Sequence, residues 1–221
     1  EKGLKKENVN FFYAKKKENI PTGTCLILIT PDAERTMCTF LGVAGKINKQ
    51  DIDINAIKNS EILFLEGYLW DKGEPKEAFI KAIKNSKKTA MSLSDIFCVE
   101  RHKEDFLNLV KSNLDIVFAN EQEIQALCSE NKLTNLIHFS KSLEKIIVIT
   151  RGEAGSIAVY KDEVIECESK KNLNIKDLTG AGDLFAAGFL HGLVNKLSLK
   201  DSLIKGTELS SKIIQILGAR L

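Results

Sequence analysis

Short apolar runs alternate along the chain with longer stretches in which apolar residues recur every three or four positions, the pattern of a sheet covered by helices. The strand-like runs fall at 25–30, 36–40, 62–65, 89–93, 116–119, 146–150, 156–160 and 164–167. Between them, Pro75 stands at a first helical position ahead of Ala78, Phe79, Ala82 and Ile83, which share one helical face. The stretch 102–111 carries Phe106, Leu107, Leu109 and Val110 in the same way, and 121–128 and 133–143 predict two further helices. Repeated strand–helix–strand units cross over right-handed and stack as a mainly parallel sheet with helices on both faces, so the predicted fold class is α/β.

The two ends differ from this pattern. Residues 21–40 predict a β-hairpin around the turn Pro31-Asp32-Ala33-Glu34, with no helix between its strands; it is expected as a small antiparallel flap attached to the main sheet. The stretch 184–195 holds no Lys, Arg, Asp or Glu, which predicts a helix apolar nearly all round and therefore central. A last helix is expected from Ser198, where Ser198-Leu199-Lys200-Asp201 makes a capping-box-like start, to Gly218 as C-terminal punctuation.

Composition narrows the function classes. With 221 residues and 43% hydrophobic content the chain builds a core. Lys and Arg number 32 against 30 Asp and Glu, and the charges are spread, which argues against nucleic-acid binding by bulk charge; Lys15-Lys16-Lys17 reads as a solvated face. No apolar run approaches the roughly 20 residues of a membrane span and no signal pattern opens the chain, so a soluble cytoplasmic protein without a membrane partner is expected. Cysteines 25, 38, 98, 128 and 167 form no C-x-x-C pair and read as reduced thiols, and three histidines without metal-ligand spacing argue against structural zinc. The chain opens on Glu1 rather than methionine, as a processed chain or a fragment would.

Three segments could carry chemistry. Asp177-Leu178-Thr179-Gly180-Ala181-Gly182-Asp183 precedes the apolar helix, and its glycines would turn the backbone so that several N–H groups meet an anion at a helix N-terminus. The ordinary alternative is that Asp183 only caps the helix; a helix end facing an interior cleft, with Asp177 and Thr179 at its mouth, favours the anion site. Asn120-Glu121-Gln122-Glu123 reads as an ordinary helix start, or as Glu123 holding hydrated magnesium near a triphosphate. Thr150-Arg151-Gly152-Glu153-Ala154-Gly155 is a turn between strands, or a place where backbone approaches a nucleotide. No G-x-x-x-x-G-K-[ST], no strand-linked G-x-G-x-x-G and no G-x-S-x-G occurs, which disfavours a P-loop ATPase, a Rossmann dehydrogenase and an α/β-hydrolase.

Taken together, DLTGAGDLFAAGF at 177–189, the Asn120–Glu123 segment and the 150–155 turn resemble the ribokinase-like (PfkB) carbohydrate kinase family. The segments TGTCLILITPDAERTMCTFLG, LFLEGYLW, LSDIFCVERH and IIQILGAR are similar to its bacterial adenosine kinase and sugar kinase branch, and the resemblance runs from about Thr22 onward. It implies ATP-dependent phosphorylation of a hydroxyl on a sugar or nucleoside, adenosine first. Asp183 would be the general base, and the N–H groups of Gly180, Ala181 and Gly182 the anion hole. Asn120 and Glu123 would organise magnesium and the phosphates, with Glu123 as the metal residue. Thr150, Gly152 and Gly155 would lie along the nucleotide, Thr179 would border the phosphates, and Thr207 and Ser211 would lie near the adenine. A monovalent cation is a further cofactor of this resemblance, and a homodimer through the β flap a further partner. Residues 1–45 are then the N-terminal segment and flap, and 46–221 the nucleotide-binding and catalytic core. The family's opening strand and glycine-glycine signature do not occur, so the chain reads as lacking the N-terminal third. The alternative function is a truncated, non-catalytic nucleotide-binding module.

Overall fold

The computed structural model describes residues 2–12, 19–70 and 73–221; the Lys15–Lys17 stretch lies outside them. The elements run α1 (Lys2–Lys6), β1 (Thr24–Ile29), β2 (Arg35–Phe40), α2 (Ile54–Asn59), β3 (Leu63–Glu66), α3 (Glu74–Asn85), β4 (Thr89–Ser92), α4 (Ile96–Arg101), α5 (Lys103–Ser112), β5 (Ile116–Asn120), α6 (Glu121–Cys128), α7 (Leu133–Ser142), β6 (Ile146–Thr150), β7 (Ser156–Tyr160), β8 (Glu163–Cys167), α8 (Ala181–Val194) and α9 (Leu199–Ile213). All eight predicted strands are present. Pro75 is second in its helix rather than first, one place inside Glu74.

The main sheet has six strands in sequence order, β3 to β8. β3 to β6 are parallel, and β7 and β8 continue antiparallel. Alternation along the strands divides the core in two. Val117 and Ala119 of β5 and Ile147 and Ile149 of β6 pack with Phe106, Ile124 and Leu127 on one face. Ile116, Phe118 and Val148 pack with Phe185, Phe189 and Leu203 from α8 and α9 on the other. Phe118 meets Phe189 edge to face, with ring centroids 5.5 Å apart.

Three expectations are corrected. The hairpin is a separate two-stranded sheet, not an extension of the main one; its link to the core is the tip, where the Leu178 N–H donates to the Ala33 carbonyl at 3.3 Å. The charge-free helix is not central: Ala187, His191 and Val194 reach solvent. Its apolar content serves two neighbours at once, the sheet below and α9 beside it, and α9 crosses so closely that a Cβ on Gly188 would stand 2.6 Å from the Lys205 carbonyl oxygen. Finally, α9 stops at Ile213 instead of Gly218. Beyond it the chain folds back on residues 176–177, whose N–H groups both donate to the Ile214 carbonyl. The Ser198 cap is as predicted, its hydroxyl accepting the Asp201 N–H at 3.0 Å.

Candidate active site

The turn before α8 is built around Asp177, a carboxylate 1% exposed. Its Oδ1 accepts from the Thr179 N–H and hydroxyl at 2.8 and 2.6 Å, and its Oδ2 from the Gly218 N–H at 2.8 Å. Burial opposes the charge, yet the bonds from Thr179 and Gly218, with the Arg35 guanidinium adding to them, hold this carboxyl below its ordinary range. The Thr179 hydroxyl is thus turned to Asp177. With the turn pinned on both sides, Gly180 takes φ +79°, a left-handed conformation that glycine adopts at little cost.

Gly180 caps α8 without any side-chain hydrogen bond. The Ala181 N–H donates to the Leu178 carbonyl at 3.2 Å, whereas among the described residues the N–H groups of Gly180, Gly182 and Asp183 meet no protein acceptor. Free N–H groups at the positive end of a 14-residue helix favour an anion. The helix begins at Ala181, so Asp183 lies in its first turn, and Gly182 and Asp183 are exposed. The interior cleft expected for this helix end is therefore an open one here.

Asn120 and Glu123 form a full capping box at the start of α6. The Asn120 side chain accepts the Glu123 N–H at 2.8 Å, and the Glu123 carboxylate takes the Asn120 N–H at 3.0 Å and its side-chain amide at 2.7 Å. The helix-start reading is thus realised, with an unusual feature: Glu123 is 6% exposed. Burial pushes its carboxyl up to about 7, against the Asn120 bond and with help from the charges of Asp95 and Glu66. Glu66, at the end of β3, is also pushed up by burial; a hydrogen bond from Ser94 at 2.9 Å opposes this, and the charge of Asp183 adds to it. Glu66 therefore links the two predicted carboxylates electrostatically.

The remaining predicted residues follow the same sheet edge. Thr150 ends β6 between Asn120 on one side and Ser156 on the other. Gly152 and Gly155 form the turn after it, closed by the Arg151 N–H donating to the Gly155 carbonyl at 2.8 Å. Ser156 pairs with Cys167, and the Cys167 sulfur lies 3.5 Å from the Thr207 hydroxyl of α9. Ser211 follows one helical turn later, its carbonyl taken by the Gln215 side chain at 2.9 Å. Arg151 is flanked by Glu121 at 3.9 Å and Glu166 at 3.8 Å. Clefts between the helices, one of about 670 Å³ lined by Glu100, Lys103, Gln125 and Ser129, include none of the predicted residues.

Sequence reasoning missed Arg35, Glu66, Ser94 and Asp95. Glu66 carried a legible signal, a carboxylate at the carboxyl end of a parallel strand, where ligands of α/β sheets bind. Arg35 carried none, because its neighbour Asp177 is 142 positions away and only the docking of the hairpin tip brings them close.

Residues 1–221 match the model of the pfkB family carbohydrate kinases. The chain belongs to that family. A crystal structure of adenosine kinase from Sinorhizobium meliloti superposes with a TM-score of 0.96 at 33% identity, covering 100% of this chain and 69% of that one. By sequence, an adenosine kinase of Schizophyllum commune is 29% identical over 97% of this chain and 68% of its own length. A ribokinase of Dictyostelium discoideum is 26% identical over 95% and 71%. The family match covers the α/β core and the separate hairpin alike, and agrees with the resemblance carried by the 177–189, 120–123 and 150–155 segments. Among the described residues no helix is long and apolar enough to cross a membrane.

Proposed function

We propose that this member of the pfkB family transfers the γ-phosphoryl group of ATP to a hydroxyl of a sugar or nucleoside, with adenosine the first acceptor to test. The observation that carries the reading is the glycine turn at Gly180: free N–H groups at a helix N-terminus, with the exposed carboxylate of Asp183 in the same turn. Phosphoryl transfer needs an aligned hydroxyl, a group to accept its proton and fixed positive dipoles for the charge that develops on the phosphoryl oxygens. Asp183 accepts the hydroxyl proton. Gly180, Gly182 and Asp183 supply the N–H groups, and Ala181, whose N–H is already engaged, shapes the turn. Arg35 adds a cation beside it.

Magnesium fits the charge of the site. Glu123, Asp95, Glu66 and Asp183 raise one another's proton affinity in pairs, an excess of negative charge that a divalent cation relieves. Among the described residues no group of three or more His, Cys, Asp or Glu side chains could hold a metal ion alone, in keeping with magnesium carried by phosphates and water beside Glu123. When bound, it neutralises phosphate charge. Thr150, Gly152 and Gly155 line the nucleotide, Thr207 and Ser211 its base.

ADP release from Mg-ATP over a panel of adenosine, other nucleosides, ribose and fructose tests the reading. Release that depends on one alcohol supports it; nucleotide binding with no release on any alcohol favours the second reading, a nucleotide-binding module. A homodimer through the hairpin is a further proposal, supported by apolar Leu26, Leu28 and Phe40 at 62%, 54% and 52% exposure. Light scattering that finds only monomer overturns it.

A further inference from the structure

Cys167 stands where the two proposed walls of the nucleotide site meet. It ends β8 directly opposite Ser156, so the two side chains share the α8 and α9 face of the sheet. Its sulfur lies 3.5 Å from the Thr207 hydroxyl of α9. Its backbone abuts the turn after β6: a Cβ on Gly155 would stand 2.2 Å from the Cys167 carbonyl oxygen, and Gly155 has φ +86°. One residue therefore touches both the glycine turn and α9, and its side chain is partly accessible.

A second observation points to a ligand at the same place. Ser156 is 2% exposed, and its buried hydroxyl has no hydrogen-bond partner. A buried hydroxyl without a partner is costly, and such groups are satisfied in most folded proteins. Here it lies beside a thiol and below a threonine, at the edge of the sheet where ligands of α/β folds bind.

We infer that Cys167, with Ser156 and Thr207, forms the subsite for the heteroaromatic base of the nucleotide, and that the bound base covers the Cys167 thiol. This rests on the nucleotide-binding reading above. The chemistry suits a purine ring: a polarisable sulfur packs favourably at an aromatic edge, and the Ser156 hydroxyl can donate to a ring nitrogen.

The test is timed alkylation of the whole chain with iodoacetamide, read at each cysteine by peptide mass spectrometry. The thiolate sulfur displaces iodide to form a carbon–sulfur bond, and the thiol proton passes to buffer. Calorimetry first gives the affinity of ATP and of inorganic tripolyphosphate, which carries the phosphates without the base. At about ten times its Kd, ATP is expected to slow labelling of Cys167 about tenfold. Tripolyphosphate at the same saturation leaves the rate unchanged. Bound ATP with undiminished labelling overturns the inference, as does equal protection by tripolyphosphate. ATP that does not bind removes the nucleotide reading, and the inference with it. A Cys167→Phe variant checks the subsite without labelling: ATP affinity falls at least tenfold while tripolyphosphate affinity, which reports the fold of the anion turn, is kept. Unchanged ATP affinity in that variant overturns the inference.

Discussion

The carboxylate of Asp177 accepts the backbone N–H of Gly218 at 2.8 Å, across 41 positions of sequence. With the Leu178 N–H bonded to the Ala33 carbonyl, the turn before α8 is tied to the C-terminal turn on one side and to the hairpin tip on the other. Asp177→Asn keeps the shape but replaces one acceptor oxygen by a donor, so either the Thr179 or the Gly218 hydrogen bonds are lost. A buried donor left without its partner costs about 1–3 kcal/mol. Denaturant unfolding is expected to show that loss, accompanied by weaker binding of tripolyphosphate. Full stability and full affinity in the variant would mean that the tie does not shape the turn.

Gly180 makes a sharper test of the turn itself. At φ +79° an alanine pays the left-handed penalty of about 1–2 kcal/mol, and its Cβ would stand 3.1 Å from that of Ala219. Gly180→Ala is expected to lower the unfolding free energy by about that amount and to reduce phosphate affinity by a larger factor than its stability loss alone would give. Circular dichroism melts and calorimetry with tripolyphosphate measure the two effects separately.

Glu123 predicts a dependence on pH. Its carboxyl is pushed up to about 7 in the fold against an ordinary 4.5, so between these values the folded chain holds a proton that the unfolded chain has released. Its contribution to stability is full below about pH 4.5 and is lost as pH rises through about 7. Glu123→Gln keeps a side chain that can cap α6 and cannot ionise; its stability is expected to fall less than that of the parent over this window. Magnesium must displace the same proton, so the magnesium dependence of nucleotide binding in the parent chain weakens as pH falls below about 7 and does so far less in the variant. Identical profiles for the two proteins would contradict this.

Arg35 is the hairpin's contribution to the charge at the turn. Arg35→Ala is expected to weaken tripolyphosphate binding several-fold at low salt, with the gap from the parent narrowing as ionic strength rises and exposed charges are screened. A gap that does not change with salt would point to a packing effect instead.

Much of this fold was legible in the sequence because its strands are short apolar runs bounded by polar or glycine-rich segments, and alternation along β5 and β6 marks the two faces. The errors have a common physical cause. Leu184 to Asn195 lacks charge because α8 is covered on two sides, and local pattern does not separate that from full burial. The helix was expected to run on to Gly218, but from Ile214 the chain turns back to bond Lys176 and Asp177, a long-range contact with no local signature. The same holds for Arg35, whereas Asn120 and Glu123 were visible because a capping box is written in adjacent residues. The short helices α2 and α4 were missed, each being only six residues long.

The central claim is that Asp183 accepts a proton at a turn that holds phosphate, and the most direct test pairs one substitution with two readings. Asp183→Asn is compared with the parent for alcohol-dependent ADP release and for ATP affinity by calorimetry. The account predicts that release falls by at least about 100-fold, the lower range of general-base contributions, while ATP affinity changes little. Equal release by the two proteins, or loss of ATP binding along with release, would contradict it.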